Sequence, residues 1–269
     1  MNDTGSRAAV FLWPLLTVTL QRFALFGAAA VILQYLLKHS FYGIEWTINA
    51  AAILALLALN LSFVFVPGWT WGLPILTHCS GTDAVALTFD DGPDADITPR
   101  ILDSLAGHNA RATFFVLRAC VDAHPELLQR IVNEGHSVGI HGSKHVQLAT
   151  ATSRTVERHI SETVAAIDRA VPGYRPVFMR SPYGFKSLTL LRTARRAKLK
   201  IVMWTADSWD YLPGSAQTIA KRVRCRAHPG AIVLLHDGRG RGRTADALPL
   251  ILKDLDSRGL RSVALVPGD

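Results

Sequence analysis

The chain has 269 residues, 49% of them hydrophobic, and a formal net charge of +8 at pH 7. This length and composition allow one substantial hydrophobic core. The three cysteines are odd in number and lack the spacing of a metal site, which argues against a disulfide framework. The basic balance is compatible with anionic lipid or an anionic substrate. No nucleic-acid-binding motif is recognisable, so a nucleic-acid partner is not expected.

Two apolar segments near the start predict a membrane anchor. The stretch 46–66 carries no charge over 21 residues, which at about 1.5 Å per residue is long enough to cross a bilayer. Phe23 to Leu37 predicts an earlier span, with Val10 to Leu20 as its flank or as an interfacial segment. We therefore expect residues 1–68 to form an anchor with two transmembrane helices and residues 69–269 to form one further domain. The alternatives are a cleaved signal peptide and two core helices of a larger domain.

Charged residues near the predicted spans give two opposed indications of orientation. Arg7 and Arg22 before the first span outnumber Lys38 between the spans, which favours a cytoplasmic N-terminus. Two spans would return the following domain to the same side. The absence of Lys and Arg from Pro67 to Pro99 is instead typical of a translocated flank. The sequence predicts an integral protein of a bacterial inner membrane, and we take the cytoplasmic side as the working expectation.

Beyond residue 80, strand-like and helix-like segments alternate. The predicted strands are Ala84–Phe89, Thr113–Val116, His136–Ile140, Val177–Met179, Ile201–Trp204, Ile232–Leu235 and Ser262–Leu265. The predicted helices are Thr98–Ala106, Pro125–Glu134, Ser153–Ala170, Ser187–Ala197, Ala216–Val223 and Ala245–Ser257. This alternation predicts an α/β fold whose parallel sheet presents functional groups at the C-terminal ends of its strands.

Two adjacent acidic residues follow the first of these strands. Asp90 and Asp91 come directly after the apolar run and precede Gly92-Pro93, which predicts a sharp turn. Adjacent carboxylates repel each other unless their roles differ. A metal ion separates the roles, because one carboxylate binds the ion while the other can take a proton from a water molecule. For an isolated Asp-Asp-Gly-Pro, an acidic surface turn is the alternative.

His141 and His145 are four residues apart, directly after the apolar piece that ends at Ile140. This spacing predicts two imidazoles on one face of a helical turn, about 5–6 Å apart. With one aspartate they make a three-ligand set that leaves room for water and substrate, which suits zinc or another divalent first-row metal. Considered alone, two histidines at this spacing are more often a polar surface or capping feature than a pair of metal ligands.

Three further segments complete an ordered set of five motifs. They are Arg180-Ser181-Pro182-Tyr183-Gly184, Asp207-Ser208-Trp209-Asp210-Tyr211 and Leu234-Leu235-His236-Asp237. In these motifs the chain resembles the polysaccharide deacetylase family, also called the NodB-homology or carbohydrate esterase 4 family. The resemblance covers residues 84–237. It implies a distorted (β/α) barrel of the NodB-homology type with fewer than eight regular strands, here preceded by the two predicted transmembrane helices.

The resemblance implies a metal centre and two proton-transfer groups. The matching metal ligands are Asp91, His141 and His145, which would bind one divalent ion, with zinc preferred and Co²⁺, Ni²⁺ or Mn²⁺ as alternatives. Asp90 matches the general base, and Arg180 matches the residue that orients it. His236 matches the general acid that protonates the leaving amine, and Asp210 matches the residue that tunes it.

The resemblance also implies substrate-binding positions. The backbone N–H of Tyr183 matches a donor to the oxyanion, and Leu234 matches the wall of the pocket for the acyl methyl. Tyr211 stands where the family usually has Trp and keeps an aromatic wall, and Trp209 is assigned to the same substrate-binding set.

A basic loop directly follows the predicted acid. Arg239, Arg241 and Arg243 alternate with glycines here. The glycines let the backbone bend, so the three guanidinium groups are predicted to converge on a phosphate of the substrate. Contact with anionic lipid headgroups is the alternative.

Two other positions depart from the family pattern. Gly142 follows the first metal histidine, where the family usually has Ser or Thr, and Ser143 could replace that hydroxyl only from a shifted position. Ser181 stands where Pro is common. Neither change removes a ligand or a proton-transfer group, so we expect the chemistry to hold and the shape of the substrate groove to differ.

These features together predict a membrane-anchored, metal-dependent hydrolase that removes the N-acyl group of an amino sugar. Because an anchor holds the site near the bilayer, the specific expectation is a polyprenyl-phosphate-linked sugar, with membrane lipid as a second partner. The alternatives within enzymes are an outward-facing cell-wall or exopolysaccharide deacetylase and a deformylase of a lipid-linked sugar. The alternative outside enzymes is a catalytically silent membrane subunit that binds glycans.

Overall fold

The structure is a computed structural model that describes residues 53–55, 58, 70 and 73–269. The first predicted membrane span lies outside the described residues. Of the second predicted span only residues 53–55 and 58 are described, as helix. Across the described parts of the chain, no helix has both the length and the apolar character needed to cross a bilayer.

Nine strands in the described part form one curved parallel sheet. They are β1 (Ile75–Leu76), β2 (Ala84–Asp90), β3 (Ala112–Leu117), β4 (Ser137–Gly142), β5 (Phe178–Met179), β6 (Lys200–Val202), β7 (Ala206–Asp207), β8 (Ile232–His236) and β9 (Arg261–Ser262). The strand order is β1-β6-β5-β4-β3-β2-β8-β7, and β9 pairs with β2. All of these pairings are parallel. The predicted α/β barrel is therefore confirmed as an open, incomplete barrel.

Helices make most of the connections between successive strands, as is usual for a parallel sheet. They are α1 (Ile97–Gly107), α2 (Arg118–Ala123), α3 (Pro125–Asn133), α4 (Ser153–Ala170), α5 (Leu188–Arg196), α6 (Ala216–Arg224) and α7 (Gly242–Ser257). Side-chain caps fix the starts of three of them: Thr152, Ser187 and Ser215 accept hydrogen bonds from backbone N–H groups of α4, α5 and α6.

The sheet separates two apolar cores, and alternation along the strands assigns each side chain to one of them. The larger core lies between the sheet and the helices, and the smaller one lies inside the curved sheet. In β2 the first contains Val85, Leu87 and Phe89, and the second contains Ala84 and Ala86. The period of two therefore places Asp90 on the interior face. The same rule places on that face His141, Arg180, Leu234 and His236.

The predicted elements differ from the structure mainly where strands are short. The two-residue strands β1 and β7 and the six-residue helix α2 were not predicted, because such short segments show no period. The strand predicted for Ser262–Leu265 is reduced to β9, although Val263 still donates its N–H to the carbonyl of Val85. The last helix begins at Gly242, three residues earlier than predicted, and this moves Arg243 into its first turn.

Close packing inside the sheet predicts the effect of one substitution. A Cβ on Gly139 would lie 2.6 Å from the Phe115 ring and 3.2 Å from the carbonyl oxygen of Phe178. Gly139→Ala is therefore expected to lower the free energy of unfolding by about 1–3 kcal/mol, the usual cost of overpacking. Urea unfolding measures this change. Gly107→Ala, at the open end of α1, is the matched control and should change stability by less than about 1 kcal/mol. Equal effects of the two substitutions would contradict this packing.

Candidate active site

The register of neighbouring strands brings the predicted base and acid together. In the parallel pairing of β2 with β8, Asp90 lies directly opposite His236. Paired strands are about 4.8 Å apart, and both side chains face the interior. Arg180 directly follows β5, and its N–H donates to the carbonyl of Ile140 on β4. This hydrogen bond places Arg180 beside His141. All four residues therefore lie at the C-terminal edge of the sheet.

Asp91, His141 and His145 form a group that could hold a metal ion, with ligand atoms within 4.8 Å of one another. Asp91 Oδ1 is 3.4 Å from His141 Nε2 and 3.5 Å from His145 Nε2. A tetrahedral ion with ligand bonds of about 2.0–2.2 Å separates its ligands by about 3.3–3.6 Å, so these distances fit zinc. Asp91 Oδ1 is buried and has no hydrogen-bond partner among the described residues, as expected of a metal ligand.

Hydrogen bonding prepares His141 for metal binding. Its Nδ1 lies 2.9 Å from the carbonyl oxygen of Arg180. A carbonyl can only accept, so Nδ1 carries the proton and Nε2 presents its lone pair to the site. Burial lowers the pKa of His141 to about 3, which keeps the imidazole neutral. The residues present therefore fit a divalent metal centre.

The backbone that presents the histidine pair is not the predicted helical turn. His141 lies in β4 and His145 in the bend that follows it. Gly142 between them has φ +111°, a left-handed conformation that turns the chain back over the strand end. The two rings nevertheless lie 5.4 Å apart between centroids. The sequence spacing thus predicted correctly that the two rings are close, but the predicted helical turn was wrong.

Asp90 is held by a buried ion pair. Arg180 Nη1 donates to Asp90 Oδ1 and to Thr88 Oγ1, each at 2.8 Å. The guanidinium is fully buried and lies over the Phe115 ring, 4.3 Å from its centroid. Burial raises the pKa of Asp90, and the positive charge of Arg180 opposes that effect. The pair fixes the carboxylate in one orientation and favours its charged form, as a general base requires.

His236 is paired with Asp210, as predicted. Its Nδ1 lies 2.7 Å from Asp210 Oδ1, and its backbone N–H donates to Asp210 Oδ2 at 2.8 Å. Thr244 also donates its hydroxyl to Oδ2, at 2.8 Å. Burial disfavours the charged imidazole, but the Asp210 carboxylate, together with Asp90 and Asp91, outweighs this effect and raises the pKa of His236 to about 9. His236 is therefore protonated at neutral pH, which suits a general acid.

The predicted substrate-binding residues border this centre. The Tyr183 ring packs edge-on against His145, with 4.4 Å between centroids, and the Tyr211 ring packs in the same way against His236 at 5.8 Å. Leu234 is buried on the same face of β8, two residues before His236. Trp209 is 37% exposed, and Arg226 lies 4.1 Å from its ring centroid. These positions fit the predicted walls, and their contacts with substrate stay predictions.

The basic loop is divided by the start of the last helix. Arg243 lies in the first turn of α7 and donates to the carbonyl of Gly214 at 2.7 Å. The Arg243 guanidinium is therefore hydrogen-bonded to another segment of the domain, which does not match the predicted convergence of three arginines. Arg239 and Arg241 form no ion pair with any carboxylate of the described residues, and their phosphate contact stays a prediction.

Several supporting residues were not predicted. Thr88 stands two residues before Asp90, so the strand period could have placed it on the same face. Thr244 carried no signal, because the predicted helix began after it. Asp237 is buried beside the site, and its carboxylate leaves no room for a Cβ on Gly92. It accepts a hydrogen bond from Thr98 Oγ1 at 2.7 Å, and burial raises its pKa to about 7.

The arrangement suits the hydrolysis of an amide. Amide hydrolysis needs an activated water, stabilisation of the oxyanion and a proton for the amine that leaves. Asp90 can take the proton of the attacking water, and His236 can give a proton to the nitrogen. A divalent metal bound by Asp91, His141 and His145 would supply a Lewis acid for the water and for the developing negative charge.

Comparisons with known proteins point to the same chemistry. A polysaccharide deacetylase family model matches residues 77–202, which include β2, both site histidines of the β4 segment and Arg180. Asp210 and His236 lie beyond that match, and their assignment depends on the geometry described above.

Relatives match over most of the described domain. A peptidoglycan-N-acetylglucosamine deacetylase of Bacillus cereus is 40% identical over 184 residues, 67% of this chain and 66% of that protein. A chitooligosaccharide deacetylase of Bradyrhizobium is 38% identical over 192 residues, 67% of this chain and 88% of that protein. The solved structure of a peptidoglycan N-acetylglucosamine deacetylase has 37% identity and a TM-score of 0.67, covering 70% of this chain and 89% of that one.

The pairing of His236 with Asp210 predicts a change in protonation. Asp210→Asn removes the negative charge that raises the pKa of His236 to about 9 and leaves the burial that lowers it. The pKa of His236 should therefore fall from about 9, while the carboxylates of Asp90 and Asp91 still favour the charged ring. NMR titration of His236 in the metal-free protein measures this pKa. Asp207→Asn, which removes a neighbouring carboxylate not bonded to His236, is the control. An unchanged pKa of about 9 in Asp210→Asn would contradict the assignment.

Proposed function

The chain belongs to the polysaccharide deacetylase family, and we propose that it removes the N-acetyl group from N-acetylglucosamine units of a glycan. It is a metal-dependent hydrolase of carbon–nitrogen bonds other than peptide bonds. The relatives reported above support the sugar, since they are named as deacetylases of peptidoglycan or of chitooligosaccharides.

The observation that carries this proposal is the convergence of three functions at one sheet edge. The potential metal ligands Asp91, His141 and His145 lie within 4.8 Å of one another. Asp90 directly precedes Asp91 in the sequence and is bound by Arg180, and His236 is opposite Asp90 in the register. A catalytically silent glycan-binding subunit would not require metal ligands, a base and an acid at one place. Zinc is the proposed metal, with Co²⁺, Ni²⁺ or Mn²⁺ as alternatives.

A membrane location remains part of the proposal. The uncharged stretch 46–66 supports it, because its length is sufficient for a transmembrane helix. A cytoplasmic side for the catalytic domain is supported by Arg7, Arg22 and Lys38, and by three cysteines without a disulfide pattern. A cell-wall substrate would require the opposite side.

A lipid-linked, phosphate-bearing amino sugar is the second candidate substrate. Arg239 and Arg241 favour it, since they follow the proposed acid and form no ion pair with a described carboxylate. Arg is well suited to bidentate phosphate contacts. A membrane anchor would also hold the site near such a substrate.

Metal removal and ligand substitution test the proposed activity. We expect the full-length protein to release amine from N-acetylated chitooligosaccharides, to lose this activity on chelation and to regain it with zinc. His141→Ala and His145→Ala should lose bound metal and turnover together, because each removes one of three ligands. Parallel assays with N-formyl sugars distinguish a deformylase. A metal-loaded protein that releases no amine from any of these sugars would contradict the proposed function.

A charge-matched pair of variants tests the lipid-linked candidate. Arg239→Gln with Arg241→Gln should raise KM for a phospholipid-linked N-acetyl sugar in detergent by about tenfold or more, since each charged contact typically contributes 1.5–3 kcal/mol. The KM for a phosphate-free N-acetyl sugar should change much less. Arg192→Gln with Arg195→Gln on α5 removes the same charge away from the site and is the control. Equal losses on both substrates would rule out phosphate recognition by this loop.

A further inference from the structure

The segment that carries His145 lies outside the helices and strands. It leaves β4 at Gly142 and rejoins the larger core at Leu148, which is fully buried. Within it, Val146 donates its N–H to the carbonyl of Lys144, and Ala149 donates to the side chain of Gln147. These hydrogen bonds stay inside the segment, so they do not fix its position relative to β4.

One buried side-chain pair connects this segment to α4. Ser143, which lies between the two metal histidines, is 5% exposed, and His159 of α4 is 6% exposed. The Ser143 N–H donates to His159 Nδ1 at 3.2 Å, and Ser143 Oγ lies 3.0 Å from the same nitrogen. This pair connects residues 143–146 to α4 through buried side chains, and the His145 ring packs separately against Tyr183.

The donors determine the form of His159. A backbone N–H can only donate, so Nδ1 is the acceptor and the proton of the neutral ring is on Nε2. Burial lowers the pKa of His159, which is consistent with a neutral ring. The ring is also placed by its own helix, because Thr163 donates its hydroxyl to the His159 carbonyl at 2.7 Å. His159 thus offers a fixed hydrogen-bond acceptor to the segment between the two site histidines.

The sequence departure at Gly142 gives this pair its importance. With φ +111° the position favours glycine, and it provides no hydroxyl next to His141. The nearest hydroxyl in the segment is one residue later, at Ser143, and it is directed to His159. The connection that stabilises the ligand segment therefore comes from α4.

We propose that His159 is a positioning residue of the metal centre. By accepting both hydrogen bonds of Ser143, it fixes the segment with His145 relative to the strand with His141 and so sets the separation of the two imidazoles. This inference rests on the proposed metal centre. It predicts that His159 affects metal affinity although it is not a ligand, as partners of ligands commonly do by about 10–100-fold.

The positioning role of His159 is tested by the Zn²⁺ affinity of the purified full-length protein. Competition with a chromophoric chelator measures this affinity. His159→Ala should raise the Zn²⁺ dissociation constant at least tenfold. His159→Asn should restore it to within about threefold of the wild type, because the Asn Oδ1 can take the place of Nδ1 as acceptor. Ser143→Ala, which loses the hydroxyl and keeps the N–H, should fall between the two.

His136→Ala is the matched control. His136 is also buried, and its Nδ1 likewise accepts a backbone N–H, from Ala112 at 3.2 Å, but it precedes β4 at the opposite edge of the sheet. The His136→Ala variant should have a lower unfolding temperature and unchanged Zn²⁺ affinity. Wild-type affinity in His159→Ala, or equal weakening by His136→Ala, would overturn the inference. If His159→Ala does not fold, wild-type affinity in Ser143→Ala overturns it. A wild-type protein that binds no Zn²⁺ would instead contradict the proposed metal centre.

Discussion

The buried ion pair between Arg180 and Asp90 is the interaction on which the site depends. Two adjacent carboxylates beside a metal centre would both be drawn to the ion or would both tend to protonate. Arg180 prevents this. Its guanidinium binds Asp90, and its carbonyl accepts a hydrogen bond from Nδ1 of His141. One residue thus holds the base and orients a ligand. Removing one partner of a buried ion pair typically costs about 3–5 kcal/mol, so stability and catalysis are coupled at this position.

The strand geometry explains why the two aspartates differ. Asp90 ends β2 on its interior face, and the next residue of a regular strand would point outward. Asp91 instead has φ 78°, a left-handed conformation that turns its carboxylate back towards the histidines. Such a conformation is uncommon for a residue other than glycine, and residues held in strained conformations cluster at active sites. The sharp turn at Gly92, packed against the buried Asp237, supports it.

The sequence predicted most of this site because its signals are local. Apolar runs ending in Asp, His or Arg identify strand ends, and parallel strands end at one edge, so Asp90, His141 and His236 could be placed together. The resemblance to a family added their roles. Backbone conformation and helix contacts could not be predicted. The bend at His145 depends on the left-handed Gly142, and the support from His159 and Thr244 depends on how α4 and α7 pack against the site. The placement of Arg243 was missed because the start of α7 was set three residues too late.

The central claim is that the two adjacent aspartates have different functions, Asp91 as a ligand and Asp90 as a base. The most direct test is the metal content and turnover of Asp90→Asn measured on the same purified sample. We predict stoichiometric metal, as in the wild type, with turnover reduced by about 10²–10⁴, the usual contribution of a general base. Loss of the metal together with activity, or near-normal turnover in the metal-loaded variant, would contradict the account.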